Sequence, residues 1–230
     1  MNLKPCIRVM PVLLAALLVQ AQQATRGSDH AVFGAIDGTV VDLEGRPIGD
    51  ARVYATWSHN DPDSRIRVEV LTDRSGQFHL PSVPAGTATI HAYKIQDGYA
   101  DTSIPFFLTN PKSIRVVTAA ADMTTSGVEL QLGPKGGRLT GSVVDAKTGQ
   151  PLPAATFKLI RAPDPGIWVA TGLDETGRLL APSTIGFRLE VFADHYRSWW
   201  FGGDQGESPQ GIIKLNPGGE LSLDIKLEPR

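Results

Sequence analysis

The sequence predicts an all-β protein made of two tandem antiparallel β-sandwiches of about seven strands each. Three observations predict this fold class. A strand–turn–strand motif occurs twice, at residues 38–53 and 141–157, and each copy opens a segment of roughly 100 residues. Short runs alternate apolar and polar residues, and no run after the N-terminus has the spacing of an amphipathic helix. Finally, 24 glycines and 17 prolines among the 230 residues favour many turns between short strands.

The N-terminal residues 1–21 have the features of a secretory signal peptide. Two basic residues, Lys4 and Arg8, precede an apolar run at residues 9–19, and small residues surround a cleavage position after Ala21. The apolar run is too short to span a bilayer. We therefore expect a protein that is exported to the periplasm, the cell envelope or the secreted space, with no membrane span in the mature chain. An uncleaved membrane anchor is the alternative.

The cysteine content and the net charge argue against several kinds of site and partner. The single cysteine, Cys6, lies within the leader, so we expect no disulfide, no cysteine-ligated zinc and no cysteine nucleophile in the mature chain. The formal net charge of -2 argues against nucleic acid as a partner. A cysteine-free exported domain must be held together by the packing of its core.

The first sandwich is expected at residues 34–134, after a polar lead-in at residues 22–33 that has no periodicity and is expected to be flexible. Its strands are predicted from period-two alternation, and glycine and proline mark the turns between them. The predicted strands are residues 38–41, 51–57, 65–70, 77–80, 88–93, 114–118 and 128–132.

The second sandwich is expected at residues 135–230. The linker at residues 133–137 combines glycine and proline over a short distance, so the two sandwiches are expected to lie close together. The turn at residues 174–179 corresponds to that at residues 73–78 of the first repeat. The strands predicted for the second sandwich are residues 139–144, 155–160, 167–173, 187–193, 212–215 and 221–227.

The repeated motif resembles a known family. The pattern G-x-V-x-D-x-x-G-x-P-[IL]-x-x-A-x-[VF], followed by D-x-x-G-x-[FL], resembles the carboxypeptidase regulatory-like domain. That domain is a transthyretin-like (prealbumin-like) Greek-key sandwich, related to the carbohydrate-binding-like fold. Two copies would cover nearly all of the mature chain, and the first copy matches better. The resemblance implies an exported protein, but no activity, because the motif encodes turns and core positions.

Enzymes that carry or share such a sandwich need residues that this chain lacks. Metallocarboxypeptidases need a separate zinc-binding domain, and no histidine here is followed by glutamate three residues later. Intradiol dioxygenases hold iron with two tyrosines and a His-x-His pair, but His91 has no histidine two residues later, and His59 and His79 lie on other elements. Transthyretin-like hydrolases end in Tyr-Arg-Gly-Ser, which the segment at Tyr196 matches only in part. We therefore predict no enzyme, no catalytic residue, no metal and no cofactor.

The candidate contact surface is the aromatic segment, Tyr196, Trp199, Trp200 and Phe201. Neighbouring residues of an extended chain point to opposite sides, so three consecutive aromatic residues cannot all face one core. Exposed aromatic rings can stack on sugars or contact proteins. The alternative is that the tryptophan pair packs across the end of the sandwich or against the first repeat.

Other aromatic residues are expected to be structural. Trp57 and Trp168 are expected in the core or at its rim. Residues 104–108 of the first repeat are expected to pack against the face between the two sandwiches.

These observations predict an exported, non-catalytic binding or accessory protein. Carbohydrate binding is its most concrete form, with an unknown glycan as the partner. The alternative is a protein-interaction or scaffold module of the cell envelope, with an envelope protein as the partner. Exposed, coplanar rings at Trp199 and Trp200 would favour sugar, whereas rings buried between the sandwiches would favour a scaffold.

Overall fold

The computed structural model describes residues 32–57, 68–107, 110–203 and 211–230. The predicted signal peptide and His59 lie outside these ranges. Within them the chain is all β apart from two short 3-10 turns, Ile95–Asp97 and Pro111–Ser113. No helix in this part of the chain is long and apolar enough to cross a membrane.

The first sandwich consists of seven strands in two sheets. The strands are β1 (Phe33–Val41), β2 (Arg52–Trp57), β3 (Glu69–Leu71), β4 (Gln77–Pro84), β5 (Gly86–Tyr93), β6 (Arg115–Ala119) and β7 (Thr124–Gln131). One sheet has the order β4-β1-β7 and the other the order β3-β2-β5-β6. The side chains between the sheets form one core, which includes Ile36, Val53, Leu80, Ile90 and Leu130.

The second sandwich repeats this arrangement. Its strands are β8 (Gly137–Asp145), β9 (Thr156–Arg161), β10 (Trp168–Thr171), β11 (Arg178–Ala181), β12 (Phe187–Phe192), β13 (Trp199–Trp200) and β14 (Glu220–Leu227). The sheet orders are β11-β8-β14 and β10-β9-β12-β13, so each strand has the same neighbours as its counterpart in the first sandwich. The predicted all-β fold class is confirmed.

Two strand pairs differ from the predicted antiparallel sheets. β1 pairs with β7 in parallel, and β8 pairs with β14 in parallel, whereas the other ladders are antiparallel. In each sandwich the chain crosses to the other sheet and returns, so its last strand lies beside the first one in the same direction. Alternation within one strand carries no information about the direction of its partner, and the sequence therefore missed this feature.

The opening glycine of the repeated motif is required by these parallel pairs. A Cβ atom at Gly38 would collide with the carbonyl oxygen of Val128, and one at Gly141 would collide with that of Leu223. The last strand of each sandwich therefore passes close to the first one at a point where only glycine fits.

The two sandwiches interlock through a segment of the first one. Phe106 follows β5 in the chain, yet it is 1% exposed and belongs to the core of the second sandwich. Ile104 and Phe107 pack against that core, and the rings of Phe106 and Phe107 meet edge to face with centroids 5.3 Å apart. The prediction that this segment packs between the sandwiches is confirmed for its described residues.

Hydrogen bonds reinforce the junction between the two sandwiches. The amide of Gly136 donates to the carbonyl of Gly98 at 2.7 Å. The guanidinium of Arg138 donates to the carbonyl of Gln96 at 2.7 Å, which ties β8 to the first sandwich. On the other side, the hydroxyl of Ser183 donates to the carbonyl of Lys135 at 2.7 Å, so the linker is bonded to both sandwiches.

We expect Phe106→Ala to lower the free energy of unfolding by about 3–5 kcal/mol, because it leaves a cavity in place of a buried ring. Urea denaturation measures this change. The matched control is Ile95→Ala, which shortens a 43% exposed side chain near the start of the same connection. The control should lose less than about 0.5 kcal/mol. Equally small losses for both variants would contradict the interlock.

Candidate functional site

The predicted contact residue Tyr196 is engaged in the fold. Its hydroxyl donates a hydrogen bond to Oδ2 of Asp145 at 2.8 Å. Oδ1 of the same carboxylate accepts from the amides of Lys147 and Thr148 at 2.7 and 2.8 Å. Asp145 is the aspartate of the repeated motif. Its carboxylate stabilises the turn that follows β8 and also holds the hydroxyl of Tyr196.

These bonds shift both pKa values. The amide of Thr148 and the hydroxyl of Tyr196 hold the pKa of Asp145 below its ordinary value, because both stabilise the charged carboxylate. The same hydrogen bond raises the pKa of Tyr196, since the hydroxyl proton is held by the carboxylate. In the first sandwich the pKa of Tyr99 is raised, mainly by its burial and to a smaller extent by the negative charge of Asp42. The charge of the motif aspartate therefore raises the pKa of the corresponding tyrosine in both sandwiches.

The consecutive aromatic residues Trp199, Trp200 and Phe201 divide between two faces. Trp199 and Phe201 pack against the second core, and their rings meet edge to face with centroids 6.4 Å apart. Trp200 pairs with Glu190 of β12 and lies on the outer face of the sheet. The expected division between opposite sides is confirmed. Trp199 and Trp200 therefore form no coplanar platform, and binding by this segment stays a prediction.

A depression of about 440 Å³ lies on the outer face of the sheet β10-β9-β12-β13. We call it the outer-face depression. Its lining includes Lys158, Trp168, Ala170, Glu190, His195 and Arg230. Of the two tryptophans expected in the core or at its rim, Trp57 packs against the first core. Trp168 is 55% exposed and does not lie in the second core, so of the two expected positions only one at the rim is open to it.

The strand register sets the centre of the depression. Ala170, Lys158, Glu190 and Trp200 occupy successive positions across the four strands. The Nζ atom of Lys158 lies 3.8 Å from Oε2 of Glu190 and 5.2 Å from the centre of a Trp168 ring. The small side chain of Ala170 leaves room beside this ion pair.

The same positions of the first sandwich are closed. Tyr54 pairs with His91 as Lys158 pairs with Glu190, but Tyr54 is fully buried and His91 is 7% exposed. The hydroxyl of Tyr54 donates to Asp101 at 2.8 Å, which brings the connection after β5 over this face. The two sandwiches thus share a backbone plan and differ in what covers one face.

The first sandwich brings together one histidine and two tyrosines, a convergence that the sequence analysis did not predict. The Tyr54 ring lies 5.2 Å from His91 and 6.2 Å from Tyr93, between ring centroids. Each tyrosine hydroxyl donates to a carboxylate, Tyr54 to Asp101 and Tyr93 to Glu69. The pKa of Tyr93 is raised, mainly because the residue is partly buried and also because Glu69 lies beside it. A raised pKa disfavours the tyrosinate form that iron requires.

His79, another histidine of the first sandwich, does not lie near the Tyr54–His91–Tyr93 cluster. His79 is on β4, in the opposite sheet, with its Nδ1 atom 2.5 Å from Asp37. Within the described ranges, no three histidine, cysteine or acidic side chains are placed to hold a metal ion. In the Tyr54–His91–Tyr93 cluster the two tyrosines bond to acidic side chains, and Nε2 of His91 lies 3.1 Å from the hydroxyl of Thr56.

Further spaces lie between the sandwiches. A cavity of about 30 Å³ is lined by Tyr99 and Ser183, among others, and has room only for about two water molecules. A groove of about 410 Å³ is mainly apolar, with Ile104, Phe107 and Val169 in its lining. Asp101, Asp174 and Arg178 also line the groove and supply charged groups beside the apolar surface.

Comparison with known proteins places a family domain on the first sandwich. Residues 35–127 match the model of the carboxypeptidase regulatory-like domain. The predicted resemblance is confirmed for this copy, whereas a second copy stays a prediction. No curated protein matches the chain.

Several solved structures resemble the chain weakly. The Bacillus anthracis TIE protein is 16% identical with a TM-score of 0.34, over 86% of this chain and 34% of that one. A streptococcal ancillary pilin is 15% identical with a TM-score of 0.33, over 88% of this chain and 64% of that one. The shaft pilin spaA from Lactobacillus rhamnosus GG is 12% identical with a TM-score of 0.32, over 86% and 98%. The chain thus spans about a third of the first protein, and scores this low carry no functional argument.

We expect acid to remove the contribution of the Asp145 carboxylate to stability. Its pKa is lower in the folded than in the unfolded chain, so the contribution is complete above about pH 3.9 and is lost as the pH falls through the folded value. Asp145→Asn should therefore be less stable than the unchanged protein at pH 7, and the difference should shrink below pH 3.9. Urea denaturation at pH 7 and pH 3 measures both.

The matched control is Asp122→Asn, at an exposed aspartate with a positive φ that asparagine tolerates. Its stability should follow that of the unchanged protein at both pH values. A constant deficit of Asp145→Asn across the two pH values would contradict the assignment.

Proposed function

We propose that this chain is an exported, non-catalytic binding or accessory protein, built of two tandem carboxypeptidase regulatory-like domains at residues 34–134 and 135–230. The family match at residues 35–127 supports the first domain, and the identical strand order supports the second. The basic and apolar leader at residues 1–21 supports export to the periplasm, the cell envelope or the secreted space.

The function that the geometry supports best is carbohydrate binding by the second sandwich. The observation that carries it is the 55% exposed Trp168 at the edge of the outer-face depression. An indole ring has a large apolar face on which the C–H face of a sugar can stack. The polar and charged side chains beside it supply the hydrogen bonds that fix a ligand's orientation.

The second candidate function is a protein-interaction or scaffold role in the envelope. The apolar groove between the sandwiches favours it, because Ile104, Phe107 and Val169 present aliphatic and aromatic surface there. The aromatic segment, Tyr196, Trp199, Trp200 and Phe201, remains a proposed contact surface under either function, with Trp200 as its member on the outer face.

We expect residues 22–230 to bind at least one member of a panel of polysaccharides and peptidoglycan, and Trp168→Ala to weaken that binding roughly tenfold, or by about 1.4 kcal/mol. Isothermal titration and pull-down with insoluble glycans measure it. Phe33→Ala is the matched control, since Phe33 is an aromatic residue of the first sandwich that is 45% exposed. This control should bind as the unchanged protein does.

The outcomes separate the two candidate functions. Glycan binding that is lost in a Trp199→Ala/Trp200→Ala variant but kept in Trp168→Ala would move the site to the aromatic segment. No glycan binding by the folded protein would reject the carbohydrate function and favour a protein partner. Pull-down from envelope extracts would then be the next experiment.

A further inference from the structure

We propose that the outer-face depression binds an uncharged sugar, with Lys158 and Glu190 as the residues that determine specificity. This inference rests on the proposed carbohydrate binding and adds the ligand class and the recognition contacts. In this arrangement one pyranose ring stacks on Trp168, Lys158 donates to one of its hydroxyls and Glu190 accepts from the neighbouring hydroxyl.

The stacking surface is held in place by its neighbours. Trp168 pairs with Ile160 on β9, and the Nζ atom of Lys158 lies 5.2 Å from its ring centre. An ammonium group over an indole face is attractive and restricts the rotation of the ring. A ring that is ordered before binding loses less conformational entropy when a ligand stacks on it.

The ion pair retains hydrogen-bonding capacity. The 3.8 Å between Nζ of Lys158 and Oε2 of Glu190 exceeds a hydrogen-bond distance. The ammonium group has three donors and the carboxylate accepts at two oxygens. A hydroxyl both donates and accepts, so two adjacent sugar hydroxyls can each satisfy one member of the pair.

The burial of the pair favours recognition by direct hydrogen bonds. The side chains of Lys158 and Glu190 are 33% and 16% exposed, so both are partly shielded from water. Hydrogen bonds to charged groups contribute more than neutral ones, and partial shielding from water strengthens them.

The charges that line the depression favour a neutral ligand. Lys158 and Arg230 are balanced by Glu190 and Asp194. A carboxylated sugar would meet the two acidic groups, and an amino sugar would meet the two basic ones. Charge complementarity therefore favours neither the carboxylated sugar nor the amino sugar. A sugar hydroxyl, in contrast, can accept a hydrogen bond from a basic group and donate one to an acidic group.

Comparison of the two sandwiches supports a specialised role for this depression. The registers that place Lys158 beside Glu190 place Tyr54 beside His91 in the first sandwich, where Asp101 bonds the tyrosine and the face is closed. The depression is therefore a property of these side chains and not of the shared backbone fold. Its opening in the second sandwich leaves a polar pair and an indole accessible together.

The test measures affinity for cellohexaose, chitohexaose, mannohexaose and the C6-carboxylated form of cellohexaose by isothermal titration. We expect binding to at least one neutral hexasaccharide, and weaker binding to carboxylated than to neutral cellohexaose when the latter binds. Lys158→Met and Glu190→Gln should each lower the affinity for the neutral ligand about tenfold or more. Lys158→Arg should recover part of the loss, because it restores charged donors.

Matched controls are Lys112→Met and Glu129→Gln, which make the same changes at exposed positions of the first sandwich. They should bind as the unchanged protein does, and thermal melts should show that all variants fold. Unchanged affinity in Lys158→Met and Glu190→Gln would overturn the inference, and so would preference for the carboxylated sugar.

Failure of this inference is distinguishable from failure of the proposed function. If no hexasaccharide binds while a polysaccharide still binds the unchanged protein, the inference is overturned and the carbohydrate function stands. If neither the hexasaccharides nor the polysaccharide panel binds, both are rejected.

Discussion

The burial of Phe106 in the second core is the contact on which the relation of the two sandwiches depends. The segment that carries it leaves the first sandwich, contributes an aromatic ring to its neighbour's core and returns to the first. This packing and the hydrogen bond from the amide of Gly136 to the carbonyl of Gly98 join the two sandwiches. The second core is incomplete without a residue from the first repeat.

The repeated motif is a device for building this fold. Its glycine lets the last strand lie close to the first, and its aspartate caps the following turn. In the second sandwich the same aspartate also holds Tyr196. The polar side chains of the motif form hydrogen bonds within the fold. The motif therefore indicates the architecture but does not identify a ligand.

The sequence predicted most of the strands, because alternation is a local property. Two predictions for the second sandwich were wrong: residues 212–215 form only an isolated bridge between Ile213 and Phe187, and Trp199–Trp200, for which no strand was predicted, form β13. The sequence predicted neither the parallel pairing of β1 with β7 nor the contact of Lys158 with Glu190, since both depend on residues distant in the chain. For Trp168 the alternation was visible, but alternation alone does not say which side faces the core. The register with β9 turns Trp168 outward with Lys158 and Ala170, against the usual preference of a large apolar side chain.

The two copies treat one face of the same backbone in different ways, with Tyr54 and His91 buried in the first and an open depression in the second. Outward positions of β9 and β12 can therefore change without disturbing the inward residues Leu159 and Leu189 that form the core. One backbone plan can therefore carry a closed face in one sandwich and an open face in the other. The inward residues keep each core intact while the outward positions differ.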